Sequence, residues 1–269
     1  MSPAADIAAD IDDILNLAGR LADTARPITL ARFRSGIGHM AKGDASPVTE
    51  ADRAAERAMR DIIETERPED GIFGEEFGVT NPDAETVWIL DPIDGTKAFI
   101  TGKPIYGILI GVVRNGRAIA GVADGPATGD RWIGGLGQPT LFNGQPVTTR
   151  KGSPLDAAWL TTTSPQMFKG DLKPRFEALM AAVHYTTFGS EYQGYCQMAC
   201  GWVDMVCEAD LAPYDYAALI PIIEGAGGII SDWSGQPLSF EAGADNKKYS
   251  VLAAADQALH QAAVSILTR

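Results

Sequence analysis

The segment Asp91-Pro92-Ile93-Asp94-Gly95-Thr96 follows a short apolar run, 86–90, that is typical of a buried strand. Its two aspartates are three residues apart, so a regular strand would direct their side chains to opposite faces. The carboxylates can converge only if the chain turns between them, and Pro92 and Gly95 favour such a turn. Converged carboxylates repel each other unless they share a proton or bind a cation. Oxygen ligands of this kind suit Mg²⁺ or Mn²⁺, so the segment predicts a metal site.

The residues that follow Asp94, 95–99, can open a helix. The free amides of its first turn would point back towards the two carboxylates and bind a phosphate group there. One short segment thus offers metal ligands and an anion site together, which is the minimum for metal-assisted phosphoryl transfer.

Other acidic residues stand where predicted elements begin or end. Glu75 and Glu76 end a short strand, Asp52 lies in the first turn of a helix, and Asp215 begins an apolar helix. An isolated D-x-x-D-G segment would more simply be a turn that its aspartates cap. Four separate segments that deliver carboxylates to element ends favour a shared site instead.

The first half of the chain predicts two helices and a mostly antiparallel sheet. Apolar residues three and four positions apart indicate a helix over 4–22, and the Thr49 hydroxyl can cap a second helix that ends before Pro68. Asn115-Gly116 is a typical hairpin turn between two apolar segments. The strands predicted for this half are 71–76, 86–90, 105–113, 118–123 and 131–134.

In the second half, segments with a strand pattern alternate with segments with a helix pattern, which predicts a sheet covered by helices. Turn residues cluster around 144–153, so we place the boundary there, between an α+β half, 1–148, and an α/β half, 149–269. The predicted strands are 158–163, 185–188, 203–208 and 228–232. The predicted helices are 173–183, 191–201, 214–225 and 256–267.

The formal net charge of −13 disfavours a nucleic-acid partner, because binding to a polyanion depends on clustered Lys and Arg. An acidic surface also repels phosphate esters unless divalent cations reverse the local field. The composition therefore makes metal dependence a condition for any phosphatase activity.

The chain has no apolar run of the roughly 18 residues that a membrane-spanning helix needs, and its first residues are acidic, unlike a signal peptide. We therefore expect no membrane association and a cytoplasmic location. Three cysteines, Cys196, Cys200 and Cys207, are too few and too clustered for a disulfide framework, and no histidine has zinc-ligand spacing near them. They are interpreted as small buried apolar groups.

Three motifs in this order resemble those of the inositol monophosphatase family: Gly74-Glu75-Glu76, Asp91-Pro92-Ile93-Asp94-Gly95-Thr96, and Pro213-Tyr214-Asp215 followed by Glu224-Gly225-Ala226-Gly227-Gly228. The resemblance covers nearly the whole chain. It implies a layered αβαβα sandwich, with a mostly antiparallel N-terminal sheet and a C-terminal sheet with helices. It also implies a magnesium-dependent, lithium-sensitive phosphatase that is a homodimer and acts on a small phosphate ester.

The resemblance also implies a role for each matched residue. Glu75, Asp91 and the carbonyl of Ile93 would hold one Mg²⁺; Asp91, Asp94 and Asp215 would hold a second; and a third, weaker ion would lie near Glu75. Mn²⁺ is a possible substitute.

The same matches assign the phosphate and the attacking water. Gly95 and Thr96 would bind the phosphate through their amides, and the Thr96 hydroxyl would orient the water together with Asp52. Asp52, Thr96 and Glu75 are thus the candidate catalytic residues for in-line attack by a metal-activated water, without a covalent phosphoenzyme. Lys42 could approach the phosphate or simply be a surface lysine.

Two other classes of protein fit the sequence less well. D-x-D-G-T, the nucleophile motif of haloacid dehalogenase-like phosphatases, has one residue fewer between its aspartates, which lets both stay on one strand face; the spacing of Asp91 and Asp94 does not. A catalytically dead member acting as a binding partner would have lost a ligand, whereas every matched position here is intact.

The substrate is indicated by different residues. Pro213-Tyr214-Asp215 with Ile220-Pro221, and the stretch 91–107, resemble the histidinol-phosphate phosphatase branch, whereas the inositol-specific branch typically has Trp before this aspartate. The ammonium and imidazole groups of histidinol phosphate would suit spare carboxylates. Glu208 matches a position that contacts substrate hydroxyls in inositol-specific enzymes.

Glu191 and Tyr192 are further candidates for the substrate pocket. A helix N-terminal charge and a packing aromatic explain them equally well. Inositol 1-phosphate, or a broader set of sugar phosphates, is the alternative substrate.

Overall fold

The structure is a computed structural model that describes residues 3–35, 47–240 and 248–269. Two β-sheets alternate with three layers of helices, so the predicted layered αβαβα sandwich is confirmed. The two sheets lie on either side of the predicted boundary near residue 148, and the division into halves at that residue stays a prediction.

The first sheet has eight strands in the order β2-β1-β3-β4-β5-β6-β7-β8. Its pairs are antiparallel except for the parallel pair β1–β3, so the sheet is mostly antiparallel, as predicted. The strands are β1 (Gly71–Gly74), β2 (Gly78–Thr80), β3 (Thr86–Asp94), β4 (Gly107–Arg114), β5 (Arg117–Gly125), β6 (Asp130–Gly135), β7 (Leu141–Phe142) and β8 (Gln145–Pro146).

The second sheet has five strands in the order β10-β9-β11-β13-β12. Strands β10, β9 and β11 are parallel, whereas β13 runs antiparallel to both of its neighbours. The strands are β9 (Trp159–Thr162), β10 (Tyr185–Phe188), β11 (Met205–Leu211), β12 (Ile229–Asp232) and β13 (Tyr249–Ala254). The sequence prediction missed β13, because this six-residue segment does not alternate apolar and polar residues, and a short apolar run cannot be distinguished from a buried helix by its pattern alone.

Helices form the other three layers. The outer layer on the first sheet is α1 (Pro3–Arg32) and α2 (Pro47–Glu66), and the outer layer on the second sheet is α4 (Leu172–Ala182) and α8 (Gln257–Leu267). Between the sheets lie α5 (Glu191–Ala199), α6 (Pro213–Tyr216) and α7 (Leu219–Gly225), while the short α3 (Thr96–Ile100) follows β3. Buried apolar side chains fill each interface between these layers.

Two helix predictions were wrong in extent. Helix α1 continues ten residues beyond 22, through Pro27, because Ala25 and Thr29 prolong its buried face and Arg26 forms an ion pair with the buried Asp124. The helix predicted over 214–225 is divided into α6 and α7. The predicted start of the second helix at Thr49 differs from the observed start at Pro47, and the side chain of Thr49 lies outside the described residues.

A row of glycines explains how the segment between α6 and α7 packs on the first sheet. Gly111, Gly121 and Gly134 are paired with one another across β4, β5 and β6. A Cβ atom at Gly121 would lie 2.0 Å from the Ala218 carbonyl oxygen, and one at Gly134 would lie 2.5 Å from the backbone of Pro221. The row is therefore a groove in which the helix backbone rests directly on the sheet.

Gly121→Ala should lower the free energy of unfolding by about 1–3 kcal/mol, because the added methyl group overpacks the interface between sheet and helix. Gly19→Ala is the matched control, since a Cβ at Gly19 in α1 would meet nothing within 4 Å. The control should be neutral or more stable by about 0.5–1 kcal/mol, because alanine is the better helix former. Urea unfolding of both variants tests this, and equal stability of the two would contradict the role given to the glycine row.

Candidate metal and phosphate site

A β-bulge in β3 brings Asp91 and Asp94 to the same side of the first sheet. Asp91 pairs with Leu109 and Asp94 with Gly107, so three steps along β3 correspond to two along β4. The one extra residue reverses the normal alternation of side chains. The predicted turn between the aspartates is therefore wrong in form, because the strand continues to Asp94 and the bulge makes the carboxylates converge.

The chain leaves the bulge through Gly95, whose φ of 80° lies in the left-handed region that glycine adopts without strain. Helix α3 begins at Thr96, one residue after the start of the predicted range 95–99, and has five residues. The Thr96 hydroxyl donates to the Ile93 carbonyl at 3.4 Å, and the Ile93 side chain is buried against Phe99 and Tyr106. Phosphate binding by the amides of Gly95 and Thr96 stays a prediction.

Asp215 completes a group of three carboxylates. One ligand oxygen from each of Asp91, Asp94 and Asp215 can be chosen so that all three lie within 4.8 Å of one another. Asp215 stands in the first turn of α6, where its carboxylate accepts the Ala212 amide at 2.6 Å. The structure thus brings together three of the predicted metal ligands, which come from both halves of the chain.

Glu75 and Asp52 lie close enough to this group for both of their charges to raise the pKa of Asp91. Glu75 follows β1, and its amide donates to the carbonyl of Leu90, the residue before Asp91. Asp52 is buried on α2, and its Oδ1 has no hydrogen-bond partner among the described residues. A buried carboxylate oxygen without a partner is the kind of atom that a water molecule or an ion satisfies.

The pKa values of these acids are raised by burial and by repulsion between neighbouring carboxylates. Burial, together with repulsion from Glu75 and Asp94, raises the pKa of Asp91 well above its ordinary value. Burial followed by repulsion from Asp215 and Glu191 does the same to the pKa of Asp94.

The surrounding acids are shifted in the same direction. Burial raises the pKa of Asp52 to about 9, with added repulsion from Glu75 and Glu76. Glu75 keeps solvent access, yet partial loss of its hydration raises its pKa to about 7, with further repulsion from Asp215. Burial raises the pKa of Asp215 to about 6, although the Ala212 amide opposes the shift. A divalent cation would relieve this repulsion, and an all-oxygen donor set fits Mg²⁺.

A cavity of about 200 Å³ opens beside the carboxylate group and contains seven of the candidate site residues. Its walls are formed by Asp94, Gly95, Thr96, Lys97, Thr163, Met167, Glu191, Tyr192, Tyr195, Glu208, Leu211 and Asp215. Asp52, Glu75, Asp91 and Ile93 lie outside this lining, and Asp91 is joined to it through Asp94. Lys42 lies outside the described residues.

Glu208 reaches the cavity from a second β-bulge. In β11, Glu208 pairs with Val251 and Leu211 with Tyr249, so this strand also carries one extra residue, and both Glu208 and Leu211 line the cavity. The buried carboxylate accepts the Thr163 amide at 2.8 Å and the Tyr195 hydroxyl at 3.0 Å. Burial raises the pKa of Glu208 to about 7, although these hydrogen bonds oppose the shift.

Glu191 and Tyr192 contribute in different ways. Glu191 has a φ of 48°, and its amide donates to the Thr163 hydroxyl at 3.0 Å. Burial raises the pKa of Glu191, although Thr163 and Lys97 oppose the shift. The Tyr192 amide donates to Asp94 at 2.9 Å, whereas its ring is buried against Gly107 and Trp132. The ring of Tyr192 therefore fits the packing interpretation, and its backbone holds Asp94.

Sequence reasoning missed Thr163 and Tyr195. Thr163 follows the end of β9, a position where site residues are common, so it could have been found. Tyr195 occupies an ordinary buried position in α5, and nothing in the local pattern distinguishes it. The hydrogen bonds of these two residues position Glu191 and Glu208.

Residues 10–269 match the inositol monophosphatase family, and the chain belongs to this family. It is therefore a phosphatase of a metal-dependent family that generally uses Mg²⁺.

Two curated relatives and one solved structure are similar to this chain along most of its length. The chloroplastic bifunctional phosphatase IMPL2 of Arabidopsis thaliana is 40% identical over 262 residues, which cover 96% of this chain and 76% of the relative. A histidinol-phosphatase of Chlorobaculum parvum is 35% identical and covers 82% of this chain and 86% of its own. The structure of an inositol monophosphatase from Zymomonas mobilis is 44% identical and superimposes with a TM-score of 0.88 over 96% of this chain and 98% of its own.

Across residues 3–35, 47–240 and 248–269, no helix is both long enough and apolar enough to cross a membrane. The cytoplasmic location, the homodimer and the absence of a nucleic-acid partner stay predictions.

Replacing Asp91 by Asn should remove the response to cations without unfolding the protein. In EDTA the variant should melt at or above the wild-type temperature, because the neutral amide removes repulsion in the carboxylate group. Added Mg²⁺ should raise the melting temperature of the wild type, since binding to the folded state alone stabilises it, and should raise that of the variant much less.

Asp13→Asn, on the exposed face of α1, is the control and should respond to Mg²⁺ like the wild type. An equal Mg²⁺-induced shift in Asp91→Asn and wild type, measured by scanning calorimetry, would exclude Asp91 as a ligand.

Proposed function

We propose that the chain hydrolyses L-histidinol phosphate to L-histidinol and inorganic phosphate in a Mg²⁺-dependent reaction of histidine biosynthesis. The observation that carries this proposal is the pair Glu191 and Glu208, which lines the cavity in addition to the carboxylates of the candidate metal group. A cationic substrate group beside either carboxyl would favour its ionised form and gain a charge-assisted hydrogen bond. The ammonium and imidazole groups of histidinol phosphate supply such partners.

The proposed roles at the metal ions and the phosphate are those that the family resemblance implies. Asp91, Asp94 and Asp215, with Glu75 and the Ile93 carbonyl, would hold two or three Mg²⁺ ions. When bound, Mg²⁺ would polarise the phosphate and lower the pKa of a water molecule.

The chain itself would bind and orient the reactants. The amides of Gly95 and Thr96 would bind the phosphate oxygens at the end of the cavity that contains Asp94. Asp52, whose Oδ1 is buried without a protein partner among the described residues, would accept a hydrogen bond from the attacking water together with the Thr96 hydroxyl. These contacts would fix the water in line with the leaving oxygen.

The relatives support the proposal unequally. A histidinol-phosphatase is among them at 35% identity, but the structure at 44% identity is that of an inositol monophosphatase. Inositol 1-phosphate is therefore the second candidate, and Glu208 could accept hydrogen bonds from its hydroxyls. We also retain inhibition by lithium and homodimer formation as predictions from the family resemblance.

A phosphate-release panel with saturating Mg²⁺ tests the substrate. The panel contains L-histidinol phosphate, inositol 1-phosphate and hexose phosphates, and Asp94→Asn serves as the inactive control for contaminating phosphatases. We expect kcat/KM to be highest for histidinol phosphate by about tenfold or more, which corresponds to about 1.4 kcal/mol in transition-state binding. Preference for inositol 1-phosphate would contradict the first proposal and favour the second.

Glu208→Gln should reduce kcat/KM for histidinol phosphate by about 10–100-fold, since a hydrogen bond to a charged group contributes about 1.5–3 kcal/mol. Its effect on p-nitrophenyl phosphate, which has no cationic group, should be much smaller. Glutamine can still accept the Thr163 amide and donate to the Tyr195 oxygen, so the fold should be preserved. Glu177→Gln, on the exposed side of α4, is the control, and equal losses for both substrates would argue against a contact with the substrate cation.

A further inference from the structure

Glu56 is a buried carboxylate that belongs neither to the candidate metal group nor to the cavity lining. It lies on α2 one helical turn after Asp52, on the same face of the helix. Its two oxygens accept the backbone amides of Glu76 at 2.8 Å and Phe77 at 3.2 Å. Glu56 therefore binds directly to the turn that carries Glu75.

Arg60 extends this attachment across the whole turn. Its Nε donates to Glu56 at 2.7 Å, and its other nitrogens donate to the Gly78 carbonyl and to the Thr80 hydroxyl. The side chains of Glu56 and Arg60 are 0% and 3% exposed. Removing one partner of such an ion pair leaves a buried charge without compensation, so the two residues act as a unit.

Two further features keep the turn against α2. A Cβ atom at Gly74 would lie only 1.9 Å from a Glu56 oxygen, so the absence of a side chain at this position makes room for the Glu56 carboxylate. The ring of Phe77 lies under the guanidinium groups of Arg53 and Arg57, at 4.7 and 4.2 Å from its centroid. One helix thus fixes the turn and also carries Asp52, which sets the spacing between Asp52 and Glu75.

We propose that Glu56 is a positioning residue for the metal site. By holding the amides of Glu76 and Phe77, it presents the Glu75 carboxylate towards Asp91, and Arg60 keeps Glu56 in place. This inference rests on the proposed role of Glu75 as a metal ligand. Partners that orient ligands typically contribute 10–100-fold to metal affinity.

Glu56→Gln tests the inference, because an amide nitrogen cannot accept a hydrogen bond from the Glu76 or Phe77 amide. Calorimetric titration with Mg²⁺ or Mn²⁺ in the absence of substrate should show a dissociation constant raised by about tenfold or more. At saturating metal, KM for the phosphate ester should stay within about twofold, because Glu56 does not line the cavity.

Glu66→Gln is the matched control. Glu66 lies on the same helix and also accepts hydrogen bonds from an arginine, Arg20, but this pair is exposed at the surface. Its metal affinity should equal that of the wild type. If Glu56→Gln does not fold, Arg60→Lys replaces it, and it should weaken metal binding in the same direction because lysine cannot bridge Glu56, Gly78 and Thr80.

Wild-type metal affinity in a folded but less stable Glu56→Gln variant would overturn the inference and leave the pair with a purely structural role. That result would leave the proposed phosphatase site intact. Failure of the wild type itself to bind either cation would overturn both.

Discussion

Repulsion between carboxylates is the constraint around which this fold is arranged. One oxygen from each of Asp91, Asp94 and Asp215 lies within a 4.8 Å group in a chain whose net charge is already −13. Each of the three accepts a backbone amide: Asp91 from Ile93, Asp94 from Tyr192 and Asp215 from Ala212. Because secondary structure holds these backbone donors in place, the protein itself orients the three carboxylates, and binding of a cation would require little reorganisation.

Much of the site could be predicted from the sequence, because its acids stand beside element boundaries that local patterns reveal. The means by which they converge could not be predicted. The bulge between Asp91 and Asp94 depends on the register of β3 against β4, which is a long-range property. Glu56 escaped notice because a glutamate four residues before an arginine is typical of an exposed helix face, and only tertiary packing shows that the pair is buried.

Each sheet contributes acidic residues to the candidate site through one β-bulge. The first sheet supplies Asp91 and Asp94, and the second supplies Glu208, at equivalent irregularities in β3 and β11. The middle helical layer supplies Asp215 and the Tyr192 amide, which join the two sides. In the proposed reaction, the phosphate and the remainder of the substrate would thus contact different sheets. In the proposed site, changes in β11 would therefore alter the preferred ester while the aspartates of β3 are retained.

The glycine row in the first sheet affects the position of Asp215, although none of its three glycines belongs to the candidate metal group. Gly111, Gly121 and Gly134 set how closely the backbone after α6 approaches the sheet, and Asp215 lies only a few residues before that contact. A methyl group added there would displace Asp215, a proposed metal ligand, relative to Asp91 and Asp94 on β3. Residues that do not line the cavity would therefore also influence the proposed metal affinity.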